Sequence, residues 1–168
     1  MLILMFAIAL FALVADQLTK HFIFRNDMPF IPGVIRFESV ENRGMVWGVG
    51  NGLNGFTIAV SVFTVIVIGL LIFIMIKYRA HITKLIGICL GAILGGAIGN
   101  LIDRFALGFV RDFICTEFMK FPVFNVADCF VSCGAVLLAI LLFFTKGGHE
   151  FVSAIFPEDK KKRGAGVE

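Results

Sequence analysis

Four long apolar runs constrain this chain more than any other feature of its sequence. They lie at residues 1–18, 56–76, 85–102 and 123–144. Across all four, the charged side chains are Asp16 and Asp128. A helix that crosses the hydrocarbon layer of a membrane needs about 20 predominantly apolar residues. The sequence therefore predicts an all-α membrane protein, in which a single domain of 168 residues forms a bundle of four transmembrane helices.

The composition also indicates a protein that lies in a lipid bilayer. Hydrophobic residues make up 59% of the chain, charged residues make up 16%, and the mean hydropathy is +0.97. Soluble domains are about 45–50% apolar and about 25% charged, so a water-soluble enzyme is not expected. The 20 Phe residues argue against disorder. The net charge of +3 is not concentrated in a basic domain, and we therefore expect no nucleic-acid partner.

The first apolar run has an alternative interpretation as a cleaved signal peptide. Such peptides begin with a positively charged region and end at small residues. Residues 1–19 contain no Lys or Arg, and Leu13 occupies a position where cleavage would need a small residue. We therefore expect residues 1–18 to remain as the first helix.

Basic residues are distributed unevenly between the predicted connections. Four helices place residues 77–84 and 145–168 on one side of the membrane, and these carry 8 Lys or Arg in 32 residues. The other side, counted over residues 16–55 and 103–122, carries 7 in 60. Because cytoplasmic connections are enriched in Lys and Arg, we expect both termini in the cytoplasm and outer loops at residues 19–55 and 103–122.

Two further elements are predicted outside the bilayer. Residues 34–40 alternate in part between polar and apolar side chains, which predicts a short strand or small β-sheet in the first outer loop, on the membrane surface. Apolar side chains within residues 151–156 precede the basic run at 160–163. That pattern is typical of a short helix lying in the membrane interface.

Small residues recur at four-residue spacing in the third run. One stripe comprises Gly87, Gly91, Gly95 and Gly99. Small residues spaced in this way let neighbouring helix backbones approach closely in lipid, so the stripe predicts a packing helix. A second stripe beside it comprises Gly96, Asn100 and Arg104. This second stripe ends in a guanidinium, which is costly in a membrane unless an anionic group lies opposite.

Seven polar residues fall near one face of the membrane, six at the outer ends of predicted helices and Asp112 in the loop between the third and fourth helices. They are Asp16, Lys20, Asn100, Arg104, Asp112, Asn125 and Asp128. Ionisable side chains in membrane segments are expensive and are functional candidates by default. Taken singly, some have a purely structural explanation, such as an ion pair between Asp16 and Lys20 one helical turn apart. Taken together, they converge on one face of the membrane, and this convergence favours a site.

A pair of carboxylates within this set would supply proteolytic chemistry. Two neighbouring carboxyl groups cannot both ionise cheaply, so they share a proton. The ionised member takes a proton from water, and the protonated member donates one to a carbonyl oxygen. Asp128 is the strongest candidate in the set, Asp112 is the second, and the acid and the base are left unassigned. The sequence contains no H-E-x-x-H, G-x-S-x-G or P-loop motif, and we expect neither a metal nor an organic cofactor.

Five sequence blocks have a familiar order and spacing. They are DQLTK at 16–20, NRG at 42–44, GGAIGNLIDR at 95–104, VRDFI at 110–114 and FNVAD at 124–128. On these blocks the chain resembles bacterial lipoprotein signal peptidase, also called signal peptidase II, along nearly its whole length. The resemblance implies a four-helix membrane bundle with a small extracytoplasmic β-cradle and catalytic carboxylates at Asp112 and Asp128.

The same resemblance implies a substrate and a set of supporting residues. The reaction would be removal of the signal peptide from diacylglyceryl-modified prolipoproteins, with the cut just before the lipid-carrying Cys. Globomycin would inhibit it, and no cofactor would take part. Substrate-binding or supporting roles are implied for Asp16, Lys20, Asn42, Asn100, Arg104 and Asn125. Among these, Asp16, Lys20 and Asn42 would shape the outer mouth of the site. We further expect a monomer in the bacterial cytoplasmic membrane, with the site near the outer face.

One segment departs from the family pattern, and two other functions are alternatives. Met45, Val46 and Trp47 follow the NRG block, where the family usually has small residues and Phe. A small transporter or channel subunit would use the carboxylates and Arg104 as a proton or cation relay. A structural assembly subunit would leave the convergence of polar groups without a cause. The confinement of these groups to one side favours the enzyme.

Overall fold

Four long apolar helices and a small sheet make up the protein in this computed structural model, which describes residues 1–44 and 55–157. The helices long and apolar enough to cross a membrane are α1 (Leu2–Ile23), α2 (Phe56–Lys77), α3 (Lys84–Leu107) and α4 (Val126–Phe144). Large apolar side chains cover their outer surfaces, such as Ile3 with 87% of its surface exposed and Phe143 with 74%. A surface of this kind suits lipid, and the predicted fold class is confirmed.

The helices extend beyond the apolar runs at their polar ends. The first helix continues to Ile23 and the third continues to Leu107, where Gly108 ends it in the left-handed conformation at φ 80°. The fourth begins only at Val126, because Asn125 caps it. These extensions place Lys20 and Arg104 on helices rather than in loops.

The glycine stripe of α3 packs closely against a neighbouring helix, as the sequence predicts, and that helix is α1. A Cβ atom at Gly95 would lie 2.2 Å from the backbone oxygen of Ala9, and one at Gly91 would lie 2.5 Å from that of Met5. The second stripe faces α4, since a Cβ at Gly96 would lie 2.6 Å from the oxygen of Ala127. Helix α3 is therefore the centre of the bundle, and glycine permits close approach on two of its faces.

A three-stranded antiparallel sheet lies at the polar end of the bundle. Its strands are β1 (Met28–Ile31), β2 (Ile35–Asn42) and β3 (Val110–Thr116), in the order β1-β2-β3. The predicted strand in the first connection is present as β2. The third strand comes from the connection between α3 and α4, for which the sequence indicated no element. The register pairs Val40 with Asp112 and Asn42 with Val110.

A short helix, α5 (Lys146–Ile155), follows α4. Phe151 on one face is buried at 3% exposure, whereas the charged side chains of Lys146 and Glu150 are exposed. The predicted helix before the basic run is thus present, although it begins several residues earlier. The departure at residues 45–47 and the basic run at 160–163 lie outside the described residues.

Candidate active site

The polar residues singled out from the sequence meet where α1, α3, the start of α4 and the β2–β3 pair adjoin. Those joined there by hydrogen bonds or ion pairs are Asp16, Lys20, Asn42, Asn100, Asp112, Asn125 and Asp128. Every buried side-chain nitrogen or oxygen among the described residues has a hydrogen-bond partner. The site is therefore a connected polar network at the end of an apolar bundle.

Asp112 is carried by β3 and points into this network. Its Oδ1 accepts a hydrogen bond from Nδ2 of Asn125 at 2.7 Å, and its Oδ2 accepts one from Nδ2 of Asn42 at 2.9 Å. Only 2% of its surface is exposed. Burial, reinforced by the negative charge of Asp128, raises the pKa of Asp112 to about 7. Asp112 can therefore hold a proton near neutral pH.

Asp128 occupies the first turn of α4 and is half-buried. Its Oδ2 accepts a hydrogen bond from the backbone N–H of Asn125 at 3.1 Å, and its Oδ1 accepts one from Nδ2 of Asn100 at 2.8 Å. The partial positive charge at a helix N-terminus stabilises a carboxylate there. Asp128 is thus held as a hydrogen-bond acceptor by two donors on different elements.

Asn125 connects the two carboxylates. Its side-chain oxygen caps α4 by accepting the N–H of Asp128 at 3.0 Å, and with the reciprocal bond it forms a capping box. Its Nδ2 meanwhile donates to Asp112 and, at 3.0 Å, to Oδ1 of Asn100. Asn125, the N-cap of α4, therefore fixes the orientation of both carboxyl groups.

Asp16 and Lys20 lie deeper than the sequence suggested. The Nζ of Lys20 is 2.9 Å from Oδ2 of Asp16, and neither side chain has exposed surface. The same Nζ donates to Oδ1 of Asn100 at 2.8 Å. The pair does not line an open mouth of the site, because the glycine contacts between α1 and α3 bring it into the bundle.

Arg104 stands apart from the hydrogen-bonded network. It is half-buried on α3, and its guanidinium makes no hydrogen bond or ion pair with any residue that the structure describes. Asp112 and Asp128 attract it through longer-range Coulomb interaction. Arg104 is thus a positive charge facing the carboxylate pair with its donors unoccupied by the described part of the chain.

Three residues of the network were not predicted as site residues: Gln17, Asp103 and Arg111. Asp103 is fully buried and forms two ion pairs. Its Oδ1 lies 2.7 Å from Nη2 of Arg111, and its Oδ2 lies 3.2 Å from Nζ of Lys20. Gln17 accepts a hydrogen bond from Nη2 of Arg111 at 3.0 Å. The spacing of the glycine stripe could have indicated Asp103 as a site residue. It comes four positions after Gly99, so it lies on the face of α3 that packs against α1.

The described residues offer no metal centre. Residues 1–44 and 55–157 contain no group of three or more His, Cys, Asp or Glu side chains arranged to hold a metal ion. The groups that the site brings together are the carboxyls of Asp112 and Asp128, three amides and the guanidinium of Arg104.

Comparison with known proteins identifies the family of this chain. Residues 8–144 match the sequence model of the family described as "Signal peptidase (SPase) II". The lipoprotein signal peptidase of Listeria welshimeri is 41% identical over 145 residues, which cover 82% of this chain and 92% of that relative. The lipoprotein signal peptidases of Listeria monocytogenes serotype 4a and Listeria innocua match with the same identity and coverage.

Two solved structures share the fold, and both are described as bacterial membrane enzymes determined by the in meso method. The first is 28% identical with a TM-score of 0.72, and the alignment covers 92% of this chain and 93% of that one. The second is 29% identical with a TM-score of 0.73, covering 84% and 94%. With the family match over most of its length, the chain belongs to the signal peptidase II family, the aspartic-type membrane proteases that remove signal peptides from lipoprotein precursors.

Proposed function

We propose that Asp112 and Asp128 are the catalytic pair of this lipoprotein signal peptidase and that they act on one water molecule. The observation that carries the proposal is the position of Asn125, which donates to Asp112 through its side chain and to Asp128 through its backbone. One residue thereby contacts carboxyl groups that belong to two different elements, which supports the close approach that a shared-proton mechanism requires.

The surroundings of the two carboxyl groups favour different roles. Asp112, with a pKa of about 7, is the proton donor to the carbonyl oxygen of the scissile peptide bond. Asp128, at the N-terminus of α4, takes a proton from water. The resulting hydroxide adds to the carbonyl carbon. The tetrahedral intermediate collapses when Asp128 returns the proton to the leaving nitrogen, and Asp112 regains its own as the carbonyl re-forms.

The supporting residues orient or balance the pair. Asn100 and Asn125 hold the carboxyl oxygens, and Asn42 binds Asp112 from β2. Arg104 offsets the negative charge that the pair and the intermediate carry. Asp16 and Lys20 fix α1 against this end of the bundle.

The proposed substrate is a diacylglyceryl-modified prolipoprotein, cut just before the lipid-carrying Cys. Its acyl chains would stay in the bilayer against the apolar helix surfaces while its peptide bond enters the polar network. The excess of Lys and Arg in residues 77–84 and 145–168 supports cytoplasmic termini. The site then lies at the outer face of the cytoplasmic membrane, in a monomer inhibited by globomycin-type peptides.

Cleavage of matched precursors tests this proposal. Purified protein is incubated with lipidated and non-lipidated forms of one prolipoprotein, with and without globomycin. We expect cleavage of the lipidated form alone, its inhibition by globomycin, and loss of at least about 10³-fold in rate for Asp112→Asn and for Asp128→Asn.

Asp27→Asn provides the matched control. It makes the same chemical change at an exposed carboxylate of the sheet hairpin, bound to Ser39, and should keep full activity. Undiminished cleavage by folded Asp112→Asn or Asp128→Asn would refute the assignment of the pair.

A further inference from the structure

We infer that Asp103 is a positioning residue for Asp112, and that a buried Asp16–Lys20–Asp103 bridge sets the separation of the two catalytic carboxyl groups. This inference rests on the proposed function of Asp112 and Asp128. It adds a residue to the reaction that the sequence did not single out, and it gives Asp16 and Lys20 a definite task.

The first step is a pair of equivalent backbone contacts. Oδ1 of Asp16 accepts the backbone N–H of Ala127 at 3.0 Å, and Ala127 immediately precedes Asp128. Oδ2 of Asp103 accepts the backbone N–H of Arg111 at 3.0 Å, and Arg111 immediately precedes Asp112. Each catalytic aspartate thus follows a residue whose main chain is held by a buried aspartate from another element.

The second step is the cation that joins these two anchors. Nζ of Lys20 lies 2.9 Å from Oδ2 of Asp16 and 3.2 Å from Oδ2 of Asp103, and none of the three side chains has exposed surface. A displacement of either carboxylate would leave a charge buried without its partner, which is strongly unfavourable. The bridge therefore resists changes in the distance between the start of β3 and the start of α4.

The third step is the fixation of the strand itself. Arg111 binds Asp103 with Nη2 at 2.7 Å and with Nε at 3.2 Å, and its Nη2 also donates to Gln17 at 3.0 Å. A two-point guanidinium–carboxylate contact fixes orientation as well as distance. Because successive side chains in a strand point to opposite faces, fixing Arg111 against α3 and α1 directs Asp112 towards Asn42 and Asn125.

The balance of charge makes this anchor compatible with burial. Asp16 and Asp103 face Lys20 and Arg111, so the group is neutral as a whole. A neutral group of this kind need not contact water or substrate. Asp103 acts through the main chain of β3, which makes it a positioning residue and not a catalytic one.

Kinetics of Asp103→Asn distinguish positioning from simple stabilisation. The variant keeps the shape of the side chain and removes the charge that holds Lys20 and Arg111. A shift of about 1 Å in a reacting group can cost about 100-fold in rate. We expect kcat for a lipidated precursor to fall about 10- to 100-fold, with KM within about twofold of the parent value.

The pH profile gives the readout that a structural role would not move. The charged groups acting on Asp112 are Asp128 from α4, Lys20 from α1 and Arg104 from α3. Loosening β3 admits water and moves Asp112 away from Asp128, and both changes lower its pKa. The alkaline limb of the activity profile should therefore move to lower pH by about 0.5–1 unit.

Two further variants complete the experiment. Arg111→Lys keeps the charge and loses the two-point contact. It should show the fall in kcat and the shift of the alkaline limb more weakly. If Asp103→Asn does not fold, this variant tests the positioning role instead. Arg36→Gln removes an exposed guanidinium from the adjacent strand β2 and should leave both kcat and the pH profile unchanged.

The outcomes separate this inference from the function on which it rests. A folded Asp103→Asn with parental kcat, or with reduced activity but an unmoved alkaline limb, overturns the positioning role. Measured beside it, Asp112→Asn and Asp128→Asn must be inactive. Activity in either of them overturns the catalytic pair itself, whatever Asp103→Asn does.

Discussion

At the residue scale, the most consequential feature is a carboxyl group that folding places in an unfavourable environment. Asp112 is almost fully buried, and its contacts are the amides of Asn42 and Asn125 rather than a paired cation. Ionising such a group costs free energy, and this is why its pKa rises to about 7. Under the proposed mechanism, stability is thereby exchanged for a proton donor that works near neutral pH.

The raised pKa of Asp112 makes the free energy of unfolding depend on pH in a direction that can be measured. The native state binds one more proton at Asp112 than the unfolded state between about pH 4 and pH 7, so this residue lowers the free energy of unfolding as pH rises through that window. Asp112→Asn removes the effect. We expect the free energy of unfolding of the variant, minus that of the parent chain, to be higher at pH 8 than at pH 5 by about 2–3 kcal/mol.

Thermal unfolding in detergent at the two pH values checks this expectation. Asp27→Asn is the control, because hydrogen bonds from Ser39 lower the pKa of Asp27 and the group is ionised in both states from pH 5 to pH 8. Its effect on stability should not change over that range. An Asp112→Asn effect that is equally independent of pH would contradict the raised pKa.

Asn125 combines a helix cap with the orientation of both carboxyl groups. Removing an Asn cap costs about 1 kcal/mol of stability, whereas releasing the two proposed catalytic groups should cost far more in rate. We expect Asn125→Ala to lower kcat at least about 100-fold while the protein still folds. The measurement is precursor cleavage alongside thermal unfolding.

Thr145→Ala is the matched control for this capping residue. Thr145 caps α5 by accepting the N–H of Gly148 at 3.0 Å, far from the site. A similar loss of stability with unchanged kcat is expected. Equal losses of activity in both variants would mean that capping alone explains the effect of Asn125→Ala.

At the scale of elements, α3 organises the site because its backbone is accessible on two faces. Gly95 and Gly99 admit α1, and Gly99 leaves room for the carboxylate of Asp16, since a Cβ there would lie within 2.4 Å of Oδ2. On the other face, Gly96 admits the start of α4. The depth at which Asp16 and Asp128 lie is therefore set by the absence of side chains on α3.

Gly95→Ala adds only one carbon atom but should strongly disturb the packing of α1 on α3. The added Cβ would lie 2.2 Å from the backbone oxygen of Ala9, and α1 must move because a backbone atom cannot rotate away. We expect a loss of about 1–3 kcal/mol in stability and a marked fall in kcat, measured by thermal unfolding and precursor cleavage.

Gly69→Ala on α2 makes the same substitution in open space, with no atom within 4 Å of the new Cβ. Since Ala is the better helix former, this variant should be as stable as the parent or more so. Comparable destabilisation by both substitutions would show that close packing of α1 on α3 is not the cause.

At the scale of the whole molecule, the distribution of charge orients the fold in the membrane. The network of buried ionisable groups lies at one end of the bundle, and the exposed basic residues Lys77, Arg79, Lys84 and Lys146 lie at the other. Cytoplasmic connections retain Lys and Arg. We therefore expect the sheet and the site at the outer face.

Thiol labelling tests this orientation. In a chain whose four native Cys are replaced, Glu38→Cys should react with a membrane-impermeant reagent on intact cells, and Arg79→Cys should react only after the membrane is opened. The reverse pattern would contradict the topology. Thr64→Cys, at a half-buried position within the apolar helix α2, should stay unlabelled in both conditions and serves as the control.

The sequence by itself determined the membrane bundle, the packing role of the α3 glycines and the candidacy of Asp112 and Asp128, because apolar length and the cost of charge in lipid are local properties. It left β3 without an assigned element and Asp103 without a role. These depend on tertiary contacts: β3 forms only where β2 offers it a partner, and Asp103 matters only because Arg111 and Lys20 reach it from distant parts of the chain. The positions of buried charges relative to one another are decided by packing, since each is tolerated only where its partners from other elements meet it.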